Sequence, residues 1–479
     1  MRPTHLQPSH SSQFTIYVVS AIAAIAGLLF GFDTGIISGA LLFIEQDFTV
    51  STEMKEMIVS SVLFGAMFGS LASGRLTDQF GRRRLMLIIS GLFIVGTLIA
   101  SFATQVSGIL FGRLFIGFAI GIGSYTTPLY IAEVSPHELR GGLVSLNQLA
   151  ITIGILCSFI INYAFTNIDG SWRWMFGIGL FPAVLLSIGM IFLPESPRWL
   201  IKQNMKDKAI KTLQKLRNTN DVSHEINEIQ NSLQIKQASI REIFSPWILP
   251  VLFLGTMLGF IQQVTGINTI IYYAPTIFQL AGFPDASSSI LATIGIGVVN
   301  VLATIFAVCY LDKLGRRPLL LTGLAGMCVT LIGLSIAFQS GTDAAMLRWI
   351  AMGCTFLYII CFAFSLGAIL WLVVSEIFPL EVRATAMGIA VFSCWLWNFA
   401  VSSTFLTLLN TMGPSMTFLI YAFMCVVSFV FCYYKVPETN GVTLEQIEDN
   451  IRRRLPLRYI GQPVFDKTLI TETPEYQAD

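Results

Sequence analysis

GLLFGFDTGIISGALL, residues 27–42, lies inside an apolar run that begins near Phe14. Because about 20 apolar residues cross the ~30 Å hydrocarbon core of a bilayer, this run predicts a membrane-spanning helix. Every fourth residue is a glycine, which gives the helix one smooth face that a second backbone can approach: Gly27, Gly31, Gly35 and Gly39. The run also contains one carboxylate, Asp33, and a charged acid at the centre of a spanning helix costs ~2.5–3.5 kcal/mol. We therefore expect Asp33 to face the protein interior or a water-filled cavity.

The composition is that of an integral membrane protein. Of the 479 residues, 54% are apolar and 12% are charged, and the mean hydropathy is +0.71, whereas soluble domains carry about 25% charged residues. With 29 Lys and Arg against 28 Asp and Glu, no excess of positive charge suggests a nucleic-acid partner. The eight cysteines lie in apolar runs without a CxxC pair, and the four histidines are scattered. We predict no metal site, no cofactor and no enzymatic activity.

Twelve apolar runs are long enough to span a membrane. They cover residues 14–42, 57–77, 84–104, 107–130, 142–165, 174–193, 246–279, 287–311, 318–338, 347–375, 384–410 and 414–435. Lys and Arg concentrate after spans two, six, eight and twelve, whereas the alternate loops carry few of them. The positive-inside rule then predicts a multi-pass protein of the cell membrane with both termini in the cytoplasm.

One long polar stretch divides the chain into two halves of six spans each. In that stretch Leu213, Leu216, Ile226 and Ile229 predict short amphipathic helices that lie against the cytoplasmic face. The predicted organisation is a cytoplasmic tail (1–13), a first six-helix bundle (14–194), a cytoplasmic linker (195–245), a second six-helix bundle (246–436) and a cytoplasmic tail (437–479).

Three motifs of the first half return in the second half in the same order. The pairs are Asp78-x-x-Gly81-Arg82-Arg83 with Asp312-x-x-Gly315-Arg316-Arg317 (312 − 78 = 234 positions), Glu133-x-x-Pro136-x-x-x-Arg140 with Glu376-x-x-Pro379-x-x-x-Arg383 (376 − 133 = 243), and Pro194-Glu195 with Pro437-Glu438 (437 − 194 = 243). This near-constant spacing predicts a duplicated six-helix unit, which is a common architecture for secondary transporters. A duplicated channel would also fit the repeat.

The repeated motifs place opposite charges at the cytoplasmic ends of spans. We expect Glu133 and Glu376 to pair with arginines of the preceding motif and to hold one state of a gate. An exposed ion pair contributes only ~0–1 kcal/mol, so a network is needed to bias a conformational equilibrium. Static surface pairs are the alternative. The predicted network consists of Asp78, Arg82, Arg83, Glu133, Arg140, Asp312, Arg316, Arg317, Glu376 and Arg383.

Arg113 opens span four and is, with Asp33, the clearest charge inside an apolar run. We expect the two side chains to meet. Pairing favours the ionised acid and burial favours the protonated acid, so a gate movement that changes their balance would change proton affinity. The alternative is a static pair, or an arginine that extends towards the membrane surface.

Amide side chains are unusually frequent in the apolar spans and are accompanied by aromatic residues. Amides donate and accept hydrogen bonds at once, which suits a neutral polyhydroxylated ligand, and an aromatic face suits the C–H face of a sugar ring. Interhelical hydrogen bonds, worth ~0.6 kcal/mol on average, are the alternative interpretation. The residues concerned are Asn147, Gln148, Gln262, Gln263, Asn268, Asn300 and Asn398, with Tyr272, Tyr273, Trp371, Trp395 and Trp397.

Two spans carry residues that interrupt a helix. Span seven contains Gly266 and Pro275, which predict local unwinding where the span lines a cavity. Span ten contains Gly367 one turn before Trp371, which predicts a hinge.

With these residues in place, the chain resembles the sugar porters of the major facilitator superfamily. It is similar to the bacterial xylose–proton and galactose–proton symporters and to the animal facilitative glucose transporters. The resemblance extends from Gly27 to Glu448, and its motifs are GRLTDQFGRRR, PLYIAEVSPHELRG, PESPRWL, QQVTGINTIIYYAP, LDKLGRRP, SEIFPLEVR and VPETNGVTLEQIE.

The resemblance implies an all-α fold of twelve helices in two bundles around a central cavity. It implies that Asp33 is the proton-coupling carboxylate with Arg113 as its partner, and that sugar is bound by Gln148, Gln262, Gln263, Asn268, Asn300 and Trp371, with Phe30, Tyr272, Gly367 and Asn398 lining the same cavity. Cys394 stands where an amide is common, and Ala368 replaces the usual proline of span ten.

The expected function is uptake of a monosaccharide, a hexose or xylose, coupled to a proton, by a protein that works as a monomer in the bilayer. Facilitated diffusion without coupling is the first alternative, and Asp33 argues against it because facilitative relatives usually carry an amide there. A non-transporting sugar sensor is the second, although such a sensor usually has a longer cytoplasmic tail. The third is a transporter of an unrelated cargo such as a drug or an organic acid.

Overall fold

The computed structural model describes residues 10–136, 139–233, 240–340 and 343–462, and in these ranges all regular structure is helical. Twelve of its helical segments are long and apolar enough to cross a membrane, which confirms the predicted number of spans. The first nine residues and the chain after Gln462 lie outside the described residues, as does the side chain of Asp312 from the predicted network.

The spans follow the chain in order, and spans six, seven and ten each consist of two helices. Their bounds are His10–Asp47, Thr52–Phe80, Arg82–Ser101, Val106–Val134, Arg140–Phe165, Ser171–Gly177 with Leu180–Phe192, Leu249–Val264 with Ile267–Leu280, Ala286–Leu314, Arg316–Gln339, Ala344–Phe364 with Leu366–Ile377, Arg383–Ser402, and Phe405–Lys435. Shorter helices cover Pro197–Lys202, Lys206–Arg217, Ser223–Leu233, Ile240–Ile243 and Leu444–Arg452, with a 3₁₀ turn at Leu457–Tyr459.

The glycine face of span one packs directly against span five, as predicted. A Cβ added at Gly31 would lie 1.8 Å from the carbonyl oxygen of Ile151, and one added at Gly35 would lie 2.0 Å from the hydroxyl of Ser158. Spans two and four approach in the same way, since a Cβ on Gly117 would lie 2.0 Å from the carbonyl oxygen of Val62. The first half is therefore built from two close backbone contacts that larger residues would separate.

The two halves meet through spans from each side. Span five packs on span eight, where Gly297 faces Leu156. Spans two and eleven meet at Phe64 and Phe399, whose rings are 5.7 Å apart. We call the end of the molecule that carries residues 195–245 the linker end, and the opposite end, where span one leads into span two, the far end.

The linker helices form a small core of their own on the first half. Leu213 and Ile226 are buried in it, as the amphipathic pattern predicts. Lys202 Nζ lies 2.9 Å from Asp78, and a guanidinium nitrogen of Arg217 donates to the carbonyl oxygen of Val134 at 2.8 Å. These contacts anchor the linker to the ends of spans two and four.

Helix breaks occur in spans seven, ten and twelve. Span seven breaks at Gly266, whose φ of +89° favours glycine, and deviates again at Tyr273, two residues before Pro275. The break in span ten is at Ser365, two residues before the predicted hinge at Gly367. The breaks in spans seven and ten leave backbone polar groups inside the protein rather than against lipid, since Gly266 and Ser365 are buried.

The predicted end of span eleven at residue 410 is wrong. The helix stops at Ser402, and span twelve starts at Phe405 with a kink at Gly413, where φ is +80°. Gly413-Pro414 is typical of a loop between two spans because glycine favours this conformation and proline lacks an N–H. In the structure Gly413-Pro414 instead kinks span twelve. The part of the span before the kink, residues 405–412, is a short helix at the far end.

We expect Gly31→Ala to lower the stability of the protein by about 1–3 kcal/mol or more, because the added methyl group must push the backbone of span five away. Gly91→Ala in span three is the matched control, since a Cβ there meets no atom within 4 Å. Thermal unfolding followed by tryptophan fluorescence measures both variants. Equal stability of the two variants would contradict the contact between spans one and five.

Candidate functional site

Asp33 and Arg113 meet inside the first half, as the sequence predicts. A guanidinium nitrogen of Arg113 lies 3.4 Å from Asp33 Oδ1, and the Arg113 and Asp33 side chains are 0% and 3% exposed. Arg113 Nε also donates to the carbonyl oxygen of Ile58 at 2.8 Å, and Phe176 covers the guanidinium. Asp33 Oδ2 accepts no hydrogen bond from the described residues. The pair is buried, close and incompletely satisfied, which is the arrangement in which one added proton changes the local charge balance.

The second half contributes a chain of polar side chains on spans seven and eleven. Asn268 Nδ2 donates to Gln263 Oε1 at 2.7 Å, and Gln263 Nε2 donates to Gln262 Oε1 at 3.2 Å. The thiol of Cys394 closes the chain, because it donates to Gln262 Oε1 at 3.3 Å and lies 3.0 Å from Gln263 Nε2. Gln262 Nε2 donates to the carbonyl oxygen of Leu366, next to the break in span ten. The break in span ten therefore positions an amide of span seven.

Tyr272, also on span seven, lies near both the buried ion pair and Asn398 of span eleven. The helix that carries it, Ile267–Leu280, packs against span one. Asn398 also accepts a hydrogen bond from Ser402 at 3.0 Å. The protonatable acid and one amide of the second half thus lie on spans that share Tyr272 as a neighbour.

Aromatic rings complete the centre of the molecule. Phe30 of span one and Trp395 of span eleven lie with ring centroids 5.4 Å apart across the two halves. Among the other predicted sugar-binding residues, Asn300 and Gly367 are buried, and Gln148 and Trp371 are half-buried. The cluster combines amides with aromatic faces and carries no charge beyond the pair at Asp33, a chemistry that fits a neutral polyhydroxylated ligand.

The first charged network of the linker end lies within the first half. Arg82 contacts both oxygens of Glu133 at 2.7 and 2.8 Å and lies 3.7 Å from Asp78. The carboxylate of Glu195 accepts hydrogen bonds from the backbone N–H groups of Arg82 and Arg83, at 2.9 and 3.1 Å, and so caps the start of span three. The Arg83 side chain donates to the carbonyl oxygens of Met190 and Ile191.

The second half repeats this arrangement. Arg316 lies 3.3 Å from Glu376, and Glu438 accepts from the backbone N–H groups of Arg316 and Arg317 at 3.1 and 3.0 Å. The Arg317 side chain donates to the carbonyl oxygen of Tyr433 at 2.7 Å, as Arg83 does at the end of span six. The two networks share these contacts, and each lies inside its own half.

Arg140 and Arg383 of the predicted network donate to backbone carbonyl groups. Arg140 Nε donates to the carbonyl oxygen of Ala132, and Arg383 Nε donates to that of Phe378. Both arginines satisfy carbonyl groups at the ends of preceding helices, where a cation is favourable. The carboxylates of Glu133 and Glu376 are already engaged by Arg82 and Arg316.

Sequence reasoning missed the capping role of Glu195 and Glu438. Their Pro-Glu motif is visible in the sequence as a repeat. Each glutamate is followed by a hydroxyl residue, Ser196 or Thr439, which was a further signal in the sequence. In the structure each hydroxyl donates to the glutamate of its own network, Glu133 or Glu376. It also missed the contribution of Cys394 to the amide chain, since a cysteine in an apolar run is usually a small hydrophobic residue.

Comparisons with known proteins agree with this geometry. Residues 19–450 match the family model described as "Sugar (and other) transporter". The chain belongs to this family. It is therefore a multi-pass membrane transporter of sugars, a sugar porter of the major facilitator superfamily, and not an enzyme.

Similar curated proteins align over nearly their full length. A putative metabolite transport protein of Bacillus subtilis, YwtG, is 43% identical over 90% of this chain and 93% of its own. The galactose-proton symporter of Escherichia coli is 38% identical over 96% of this chain and 99% of its own. The xylose transporter XylE of E. coli, in a partially occluded inward-open conformation, has a TM-score of 0.79 and 30% identity, with 89% of this chain and 99% of XylE covered.

We expect Glu195→Ala to destabilise the protein by about 0.5–2 kcal/mol, because backbone N–H groups at the start of span three lose their acceptor. Glu438→Ala is expected to have a similar effect on the second half. Glu228→Ala, at a highly exposed linker glutamate, is the matched control. Thermal unfolding of the purified protein checks this, and wild-type stability of Glu195→Ala would contradict the capping role.

Proposed function

We propose that the protein is a proton-coupled monosaccharide symporter that works by alternating access. The observation that carries the proposal is the buried pair of Asp33 and Arg113, because Asp33 lies on a span that packs against span seven. An acid is rare at this depth of a membrane protein, and a proton that binds and leaves is a physical reason to keep one there. Gln262, Gln263, Asn268 and their neighbours would hold the sugar.

Protonation of Asp33 would change what Arg113 can pair with. When the acid is ionised, the guanidinium of Arg113 is held at span one; when it is neutral, that attraction is lost and spans one and four can separate more easily. Because Tyr272 lies beside the pair and on span seven, the change reaches the sugar-binding helix. Sugar and proton affinities would then depend on each other, as coupling requires.

Alternating access needs two halves that move as units, and the charged networks support this. Each network joins spans of one half: Arg82 with Glu133 in the first and Arg316 with Glu376 in the second. The networks would therefore keep each half rigid during the movement. They would lock the gate only in a state where the halves also meet at the linker end.

The orientation proposed from the sequence puts the linker end in the cytoplasm. The arginines of both networks and the lysines of residues 202–215 are at that end, in accord with the positive-inside rule. The protein would then lie in the plasma membrane with both termini in the cytoplasm.

The named substrates of the relatives are monosaccharides. Relatives of 38–39% identity are described as galactose-proton and arabinose-proton symporters, as a D-xylose transporter and as a glucose transporter. A hexose or a pentose is the class of substrate that we propose. Uncoupled sugar transport is the second candidate, because two of these relatives are described as transporters without mention of a proton.

We expect Asp33→Asn to abolish accumulation of sugar against its gradient and to leave sugar counterflow in place, because the amide keeps the shape of the site and cannot carry the proton. The measurement is uptake into proteoliposomes with an imposed pH gradient and a trapped pH dye. Wild-type protein is expected to bring protons in only when sugar is present.

Asp47→Asn is the matched control for this experiment. Asp47 lies on the same span, at the far end, and pairs with Arg173 at the surface. The control is expected to accumulate sugar as the wild type does. Uphill accumulation by Asp33→Asn would rule out the coupling role of Asp33. Sugar uptake by the wild type without proton influx would rule out symport and favour uncoupled transport.

We expect Gln262→Ala to raise the KM for sugar about 3- to 10-fold, since one or two neutral hydrogen bonds are lost and Gln263 loses its acceptor. The control is Gln279→Ala, an amide of the same span outside the polar chain. A panel of pentoses and hexoses at two pH values identifies the substrate. If Gln262→Ala leaves the KM of every transported sugar unchanged, the binding site lies elsewhere.

A further inference from the structure

Glu56 is a buried carboxylate that the coupling mechanism does not use. It lies one turn into span two, at the far end, and is 3% exposed. The neighbouring cation, Lys55, is paired with Glu45 at 2.7 Å. A buried acid is costly unless its charge is met, so the partner of Glu56 identifies what it does.

That partner is in the other half of the protein. Glu56 Oε1 accepts a hydrogen bond from the backbone N–H of Thr407 at 2.7 Å, and Glu56 Oε2 accepts one from the Thr407 hydroxyl at 2.8 Å. One helical turn away, Asn410 Nδ2 donates to the Thr52 hydroxyl at 3.0 Å. Two side chains of span two thus hold one face of the helix 405–412.

The helix 405–412 lacks a cap of its own. Its N-cap residue, Thr404, makes no capping hydrogen bond, because its hydroxyl donates back to the carbonyl oxygen of Ala400. Thr407 is the third residue of the helix, and its N–H is one of those left free at a helix start. Glu56 supplies the missing acceptor and also places a negative charge at the positive end of the helix. The cap comes from the opposite half.

The same helix has a break at each end. It is separated from span eleven by Ser403 and Thr404, and from the rest of span twelve by Gly413, whose φ of +80° is strained for other residues. Pro414 removes the N–H that would continue the helical hydrogen bonds across this point. The segment can therefore turn as a small unit when its contact with span two is lost.

We propose that Glu56 and the helix 405–412 form a latch that closes the far end between the two halves. The latch must open whenever the far end opens, so it favours the state seen here, in which Glu56 joins the two halves at the far end. This inference rests on alternating access from the proposed function, and it concerns neither the sugar nor the proton. Glu56 is a positioning residue, since it acts through the helix it caps.

Hydrogen–deuterium exchange of the full-length protein in lipid nanodiscs, without sugar, tests the latch. In Glu56→Ala we expect residues 52–60 and 403–413 to exchange faster, with the far-end-open population raised about fivefold or more, because a charged hydrogen-bond acceptor is lost. Residues 139–150 and 383–390, at the linker end, are expected to exchange more slowly as that end closes. General destabilisation would instead speed exchange at both ends.

Two further variants test the contact between Glu56 and Thr407. Thr407→Val removes the hydroxyl and keeps the N–H, so it should produce the same pattern at smaller size, and its effect should shrink in the double variant with Glu56→Ala. Glu53→Ala, at an exposed glutamate on the same helix, is the control and should match the wild type. Wild-type exchange in Glu56→Ala, or faster exchange at both ends, would overturn the proposal. The exchange pattern is independent of transport, so loss of coupling in Asp33→Asn and failure of the latch are separate results.

Discussion

The ion pair of Arg113 and Asp33 depends on very close packing of the helices around it. Both side chains are almost completely buried, and neither could be tolerated against lipid without a partner. Spans two and four touch backbone to backbone at Gly117, which brings the carbonyl oxygen of Ile58 within 2.8 Å of Arg113 Nε. Span one also packs on span four, and this contact places Asp33 beside Arg113. Small residues therefore set the distances at which these charges can be buried.

The amide chain of the second half follows a different rule. Gln262, Gln263 and Asn268 satisfy one another and Cys394, so the groups that we propose to bind the sugar are oriented by the protein itself. A sugar hydroxyl can donate and accept in place of each of these bonds, which limits the cost of exchanging them. The breaks in spans seven and ten supply the irregular backbone that such a site needs, and they are tolerated because they face the protein interior.

The sequence was sufficient for features that depend on length and local spacing. Twelve apolar runs, the glycine face that includes Gly31, and the meeting of Asp33 with Arg113 all follow from the cost of polar groups in hydrocarbon, which leaves few arrangements. The end of span eleven was not predictable, because Gly413-Pro414 fits a loop and a kink equally well. Contacts such as Glu56 with Thr407 join residues 351 positions apart and leave no local pattern. Capping by Glu195 was missed although its Pro-Glu motif repeats, because a repeat does not show which backbone groups a carboxylate contacts.

The two ends of the molecule differ in how their charges are used. At the linker end the pairs of Arg82 with Glu133 and Arg316 with Glu376 repeat with the internal duplication, and each remains within its half. Contacts of this kind survive a rotation of one half against the other. At the far end Glu56 caps a helix of the opposite half, a contact that such a rotation breaks. In the proposed transport cycle, interactions inside a half would thus stabilise the moving units, and interactions between halves would determine which state is populated.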